Sequence, residues 1–347
     1  MAADAREASA APPEGMIQVR LASGLVEGRP LWWSEQQVRL LGRDGQLISF
    51  RTADAQEFSQ SAPRFASFSY SELRARLHAE FGGSYDVTGT GHYLVVHPRG
   101  GRDQWAERFE QLYRAFIHYF EVRGLRLREP PYPLIAVVFP NQAAYARYAA
   151  SIGEPVRPDY LGHYSPTTNR IYLFDSTEGG ATGDWTQNAA TIIHEATHQT
   201  AFNTGIHRRF NGVPRWAAEG LAMLFEAPGV WRGNSNSTQR DRLLPDRLAD
   251  FRDYLERRPA DALIDMLRSD APFNSDPRGA YAQAWALSFY LSETQPRQYS
   301  EYLARTAERS DFERYTPQQR LADFTDVFGS DSQMLDARFL RYMARLR

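Results

Sequence analysis

Two histidines four residues apart lie in the stretch NAATIIHEATHQTAF, and a glutamate directly follows the first. On an α-helix each residue advances by about 100°, so His194 and His198 would lie about 40° apart, where both imidazoles can bind one metal ion. The apolar residues of this segment are centred on roughly the opposite side of the helix from the two histidines: Ala189, Ile192, Ile193 and Ala196. The pair therefore faces away from the core, which favours a metal site over three polar residues on an ordinary helix.

A catalytic zinc ion needs a third protein ligand and an open position for water. Glu219 is the candidate, because a helix starting near Pro214 could bring its carboxylate to the histidine pair across the twenty intervening residues. His207 is the alternative, but the metzincin pattern places its third histidine six residues after the second. Here that gap is nine residues, so Glu219 is preferred.

Hydrolysis is the chemistry that such a centre would perform. Zinc lowers the pKa of a bound water to about 7, and Glu195 would act as the general base that takes the proton. Metal binding alone has no use for a base at this position. The sequence therefore predicts a zinc-dependent hydrolase that cleaves peptide bonds. Two alternatives stay open: a metal-bearing binding or scaffolding protein without turnover, and a zinc amidase that acts on a non-peptide or cell-wall amide.

The motif His194-Glu195-x-x-His198, followed by Trp216-x-x-Glu219-Gly220-x-Ala222, resembles the gluzincins, zinc metallopeptidases that include thermolysin and the M1 aminopeptidases. The segments GHYSPTTNRIYLFD, TIIHEATHQTAFNTGIH and PRWAAEGLAMLFE are also similar to a bacterial gluzincin-like family, DUF1570, over roughly residues 85–295. The resemblance implies a zincin fold, Zn²⁺ held by His194, His198 and Glu219, and a peptide or protein substrate.

Two further residues gain a role only from this resemblance. The segment YAQAWALSFYL is similar to an M1 segment that supplies a tyrosine hydroxyl to the oxyanion, which implies that role for Tyr281. Ala284 stands where glycine is usual, and Tyr281 could instead be a packing residue. Glu226 is either a carboxylate that orients a ligating histidine or, as we expect, a solvated surface residue. No glycine-rich exopeptidase motif is evident upstream of His194, which favours an endopeptidase.

Composition narrows the remaining classes. The chain has 347 residues, 42% of them hydrophobic, which suffices for a large core, and its 40 basic and 42 acidic residues do not indicate a nucleic-acid partner. All basic residues are arginine and cysteine is absent, so lysine and cysteine catalysis are excluded. We expect no transmembrane segment. The Ala/Pro/Glu-rich start is typical of a flexible lead after a removed signal sequence, which favours a periplasmic or secreted location, with the cytoplasm as the alternative.

Hydrophobic periodicity predicts an α+β fold around these residues. Four short strands would form a small antiparallel β unit: Ile17–Leu21, Leu31–Trp33, Val38–Leu41 and Leu47–Phe50. An α/β lobe would follow, built from Tyr70–Phe81, Tyr93–His97, Arg102–Arg123, Leu134–Phe139 and Arg170–Phe174. Six amphipathic helices would complete the chain: Pro245–Arg257, Asp261–Arg268, Ala280–Ser292, Arg297–Glu308, Pro317–Phe328 and Ser332–Arg345.

The expected domain organisation combines these elements with what the resemblance implies. Residues 1–15 would be a flexible lead and 16–62 a small β domain. Residues 63–240 would form the zincin catalytic domain with a mixed sheet, and residues 241–347 an all-helical subdomain that completes the cleft.

Overall fold

The computed structural model describes residues 14–100, 105–176, 185–232 and 237–346. The predicted flexible lead therefore lies outside the described residues except for Glu14 and Gly15, as does the predicted start of a helix at Arg102. The described part of the chain is an α+β protein in which an antiparallel sheet precedes a mixed sheet and many helices. The predicted fold class is confirmed at this level.

The strands are β1 Met16–Leu21, β2 Gly24–Trp33, β3 Gln37–Gly42, β4 Leu47–Arg51, β5 Glu57–Ala62, β6 Tyr85–Gly89, β7 Tyr93–Pro98, β8 Leu134–Phe139, β9 Gly162–Ser165 and β10 Arg170–Phe174.

The helices are α1 Tyr70–Phe81, α2 Trp105–Glu121, α3 Gln142–Ser151, α4 Trp185–Thr204, α5 Arg215–Glu226, α6 Pro228–Trp231, α7 Gln239–Arg242, α8 Pro245–Leu255, α9 Ala262–Arg268, α10 Pro272–Ser275, α11 Pro277–Thr294, α12 Pro296–Ala307, α13 Pro317–Phe328 and α14 Ser332–Arg345.

The first sheet has the strand order β4-β3-β2-β1-β5 with antiparallel pairing throughout. Its buried cluster consists of alternating apolar residues from β1, β3 and β4: Ile17, Val19, Val38, Leu40 and Phe50. The stretch TADAQEFSQSAPR contains the strand β5, which was not predicted. Most β5 side chains are exposed, so backbone pairing with β1 rather than burial holds this strand.

The second sheet has the order β6-β7-β8-β10-β9, with β7, β8 and β10 parallel and the two outer strands antiparallel to their neighbours. All six residues of β8 are buried, as expected for a central strand covered on both faces. The predicted strands β7, β8 and β10 are confirmed within a residue. The strands β6 and β9 and the helix α3 were not predicted, because they are short and carry no apolar periodicity.

The helical half follows the predicted order. The bounds of α1, α13 and α14 are those predicted, and α8, α9, α11 and α12 differ by a few residues at their ends. Pro277 and Pro296 sit at the first position of their helices, where the missing N–H has no cost. None of the described helices is long and apolar enough to cross a membrane.

Contacts divide the chain into two compact units. One comprises the described residues within 1–106 and 130–178 and contains both sheets. The other comprises those within 107–129 and 179–347 and contains α4 through α14. All five predicted site residues lie in the second, helical unit. The predicted domain boundaries stay predictions.

Candidate metal centre

Helix α4 carries the histidine pair. It ends before Gly205, whose φ of 90° is a left-handed conformation that glycine adopts without steric cost. Three apolar residues of the predicted stripe are buried: Ile192, Ile193 and Ala196. His194 and His198 keep 19% and 12% of their side-chain surface exposed. The two imidazoles therefore lie apart from the apolar face of the helix.

Helix α5 carries Glu219 one turn after its start. Pro214 occupies the N-cap position, and the fully buried Trp216 follows in the first turn. The indole of Trp216 stacks on Tyr302 with ring centroids 5.4 Å apart and contacts Phe324 edge-on at 6.0 Å. Since burying an aromatic side chain contributes up to about 3 kcal/mol, this packing anchors the turn that positions Glu219.

Close approach of α5 and α11 completes the framework. A Cβ atom on Gly220 would collide with Ser288 Oγ and would lie 2.6 Å from the carbonyl oxygen of Ala284. Only a residue without a side chain allows the two helices to come this near. The small, buried Ala284 thus packs against the residue that follows Glu219, and Tyr281 lies one turn earlier on the same helix.

Three side-chain atoms converge between α4 and α5. His194 Nε2 lies 3.2 Å from His198 Nε2 and 3.4 Å from Glu219 Oε2. The third side of the triangle, from His198 Nε2 to Glu219 Oε2, measures 3.6 Å. Among the described residues, no other group of three His, Cys, Asp or Glu side chains converges in this way.

The triangle has the dimensions of a tetrahedral metal site. Bond lengths of about 2.0–2.1 Å place tetrahedral ligand atoms about 3.3–3.4 Å apart. The three observed separations bracket that value, and the donor set of two imidazoles and one carboxylate is typical of catalytic zinc sites. His194, His198 and Glu219 can therefore hold a metal ion.

The other ring nitrogen of His194 is also engaged. His194 Nδ1 lies 2.9 Å from Glu226 Oε1, and Arg247 on α8 lies 3.4 Å from the second oxygen of that carboxylate. Glu226 keeps only 14% of its side-chain surface exposed, so the expectation of a solvated surface glutamate was wrong. A carboxylate in this position fixes the tautomer and orientation of a ligating imidazole.

Charge in the cluster follows from burial and these contacts. Burial acts to lower the pKa of His194, but its contacts with Glu219 and Glu226 outweigh burial and hold that pKa well above 6.5. Burial conversely acts to raise the pKa of Glu219, and the two histidines hold it well below 4.5. In the absence of metal, an imidazolium is thus paired with carboxylates at the position where a cation would bind.

The remaining predicted residues lie around this centre. Glu195 follows His194 on α4, is partly exposed, and its charge acts on that imidazole. The hydroxyl of Tyr281 accepts a hydrogen bond of 2.9 Å from Arg215 Nη2, and Arg215 Nε lies 3.8 Å from Glu219 Oε1. The geometry thus brings Tyr281 and Glu219 to one guanidinium, although Tyr281 could not be told from a packing residue in the sequence.

His207 lies outside the metal group. It is 1% exposed, its ring centroid lies 5.5 Å from that of Phe202, and burial lowers its pKa to about 3. The converging ligand atoms come from His194, His198 and Glu219, so His207 is not the third ligand of this group. Sequence reasoning missed Arg215 and Arg247, because neither belongs to a motif and both act through side chains that reach to another helix.

The candidate site residues lie within a segment that matches a known protein family. A family described as "Protein of unknown function (DUF1570)" matches residues 188–313, a narrower stretch than the 85–295 expected. That stretch contains all the residues of the triangle. No curated protein matches the chain.

Solved structures of M1 zinc metallopeptidases from Deinococcus radiodurans match part of the chain at low identity and with TM-scores below 0.5. The chain is 16% identical to one such enzyme, with a TM-score of 0.42, and the match covers 75% of this chain and 49% of that enzyme. A mutant of an M1 zinc metallopeptidase from the same organism is 14% identical, with a TM-score of 0.41, and the match covers 74% of this chain and 49% of the mutant. A mutant of a two-domain M1 zinc metallopeptidase bound to L-arginine is 13% identical, with a TM-score of 0.38. That match covers 75% of this chain and 49% of the mutant. The chain spans about half the length of these enzymes.

Proposed function

We propose that this protein is a zinc-dependent hydrolase that cleaves peptide bonds within a chain. The observation that carries the proposal is the triangle of His194, His198 and Glu219, whose sides of 3.2, 3.4 and 3.6 Å suit a tetrahedral ion. Zinc bound there would supply Lewis-acid polarisation of the substrate carbonyl and lower the pKa of water. Imidazole ligands favour zinc over magnesium or calcium, which prefer oxygen donors.

The protein's own groups would move the proton and hold the substrate. The Glu195 carboxylate takes a proton from the attacking water and delivers it to the departing amine nitrogen. The Tyr281 hydroxyl donates a hydrogen bond to the oxyanion that develops on the carbonyl. Glu226 keeps the His194 ring in the orientation that turns Nε2 toward His198 and Glu219.

Glu195→Gln tests the proposal. The metal-loaded variant should keep its zinc and lose at least about 100-fold in turnover, because an amide cannot accept the proton. Zinc is measured by elemental analysis, and hydrolysis by mass spectrometry on a random peptide library, which also reveals internal or terminal cleavage. Glu301→Gln, an exposed glutamate on α12, is the matched control and should behave as wild type.

Unchanged turnover in Glu195→Gln would remove that residue from the chemistry. Wild-type protein that binds zinc and cleaves no peptide would favour the alternatives of a scaffolding protein or of an amidase with a non-peptide substrate.

A further inference from the structure

Arg215 is the first residue of α5 and lies one turn before Glu219. Its backbone N–H donates to Asp270 Oδ1 at 3.1 Å, and Asp270 also accepts from Arg320 Nη2 at 2.7 Å. The Arg320 side chain is only 7% exposed, whereas the Asp270 side chain is 42% exposed. The hydrogen bond to Asp270 therefore holds the start of α5, and with it the backbone from which the Arg215 side chain extends.

The guanidinium of Arg215 contacts two residues of the candidate site. Nη2 donates to the Tyr281 hydroxyl at 2.9 Å, and Nε lies 3.8 Å from Glu219 Oε1. The guanidinium carbon also lies 4.8 Å from the ring centroid of Phe273, which itself packs edge-on against Tyr281 at 5.2 Å. An aromatic face and two polar contacts thus define where the guanidinium lies.

The polarity of the contact with Tyr281 is fixed by chemistry. A guanidinium carries only hydrogen-bond donors, whereas a phenol has one hydrogen to donate and an oxygen that accepts. Tyr281 must therefore accept from Arg215, and its own hydrogen must point away from Arg215. A neighbouring cation also polarises the O–H bond, and hydrogen bonds that involve a charged partner are stronger than neutral ones.

We propose that Arg215 is a positioning residue for Tyr281: it directs the hydroxyl hydrogen toward the oxyanion and strengthens the hydroxyl as a donor. This inference rests on the proposed function, in which the oxyanion is the acceptor. Arg215 keeps 40% of its side-chain surface exposed, so the competing role is direct binding of a substrate carboxylate. The two roles predict different kinetics, since only the first depends on Tyr281.

A double-mutant cycle separates them. Arg215→Met, Tyr281→Phe and the double variant are compared as metal-loaded proteins, with Arg297→Met, an exposed arginine on α12, as the control. Tyr281→Phe should lower kcat by more than about 10-fold. Arg215→Met should lower kcat severalfold with little change in KM, and should change kcat by less than about twofold when Tyr281 is already Phe.

A binding measurement gives the same cycle without turnover. A tripeptide phosphonate presents a tetrahedral anion in place of the scissile carbonyl, and calorimetry should show weaker binding to Arg215→Met only while Tyr281 is present. Zinc content and thermal unfolding of each variant check that the fold and the metal site persist.

Additive losses in kcat and in phosphonate affinity would overturn the inference, as would a rise in KM alone or a loss of zinc from Arg215→Met. If the wild-type protein cleaves no peptide, the proposed function fails on its own, and the phosphonate cycle still decides the role of Arg215. Failure of the phosphonate to bind zinc-loaded wild-type protein would also overturn the inference.

Discussion

His163 and His194 are partly buried histidines that each contact a carboxylate, but only His194 belongs to the candidate metal centre. His163 on β9 has Nδ1 2.7 Å from the Tyr145 hydroxyl and Nε2 3.2 Å from Glu154 Oε2. The hydroxyl of Ser165 also donates to Glu154, at 2.7 Å. Both nitrogens of the His163 ring are thus occupied within a closed hydrogen-bonded cluster.

His194 uses its nitrogens differently. Nδ1 contacts Glu226, while Nε2 faces His198 Nε2 and Glu219 Oε2 at 3.2 and 3.4 Å. A carboxylate beside an imidazole therefore does not make a metal site, because structural histidines are held in the same way. The distinguishing feature is that three potential ligand atoms point to one place.

The largest expected difference between the two clusters is in metal binding. His198→Asn should lose essentially all bound zinc, because two ligands hold the ion far more weakly than three, whereas His163→Asn should keep one zinc per chain. Elemental analysis after dialysis measures this, with circular dichroism as a check on folding. Equal zinc in both variants would contradict the assignment of the triangle.

A smaller effect is expected from the carboxylates that hold each ring. Glu226→Gln should weaken zinc affinity by about 10- to 100-fold, the usual cost of losing a partner that orients a ligating histidine. Glu154→Gln should leave the affinity unchanged. Competition with a chelator measures both dissociation constants, and the same affinity in Glu226→Gln and wild type would mean that Glu226 does not orient His194.

The smallest effect is on stability as a function of pH. In metal-free protein the folded-state pKa of His194 lies well above 6.5, so its stabilisation is complete below pH 6.5 and is lost as the pH rises through the folded-state pKa. Glu219 has a depressed pKa, so its stabilisation is present above pH 4.5 and is lost as the pH falls toward the folded-state pKa. The cluster therefore stabilises metal-free protein most between pH 4.5 and 6.5.

Zinc should reverse the trend above pH 6.5, because binding requires deprotonated imidazoles. Thermal unfolding should show that the Tm of the metal-free protein falls as the pH rises above 6.5. The free energy of unfolding should decrease by roughly 1.4 kcal/mol for each pH unit by which folding raises the pKa of His194. The Tm of the zinc form should stay constant or rise. His194→Asn should abolish the metal-free slope, and His163→Asn should keep it. A slope that persists in His194→Asn would assign the titration to another group.

The sequence predicts the local features of the centre well. The spacing of His194 and His198 suffices to put both rings on one face, because helical periodicity is a property of the backbone. The position of Glu219 depends on how α4 packs on α5, which the apolar pattern suggests without giving a distance. That these three residues act in catalysis stays a prediction.

Residues that act across helices are harder to predict. Arg247 reaches Glu226 from α8, and Arg215 reaches Tyr281 on α11, so neither partnership appears in local spacing. Glu226 looked like a surface residue because nothing near it in the sequence shows that α8 and α4 cover it. The exposed strand β5 was missed for the related reason that its side chains carry no burial pattern.

The contact at Gly220 has a consequence for how readily this protein could be redesigned. Because Gly220 has no side chain, the main chain of α5 lies directly against the Ala284 carbonyl oxygen and the Ser288 side chain of α11. Exchange of neighbouring apolar residues for larger or smaller ones would thus alter core volume while leaving the spacing of these two backbones largely fixed. If the helical unit is repacked to change substrate preference, the position of Glu219 should therefore shift less than the positions of His194 and His198.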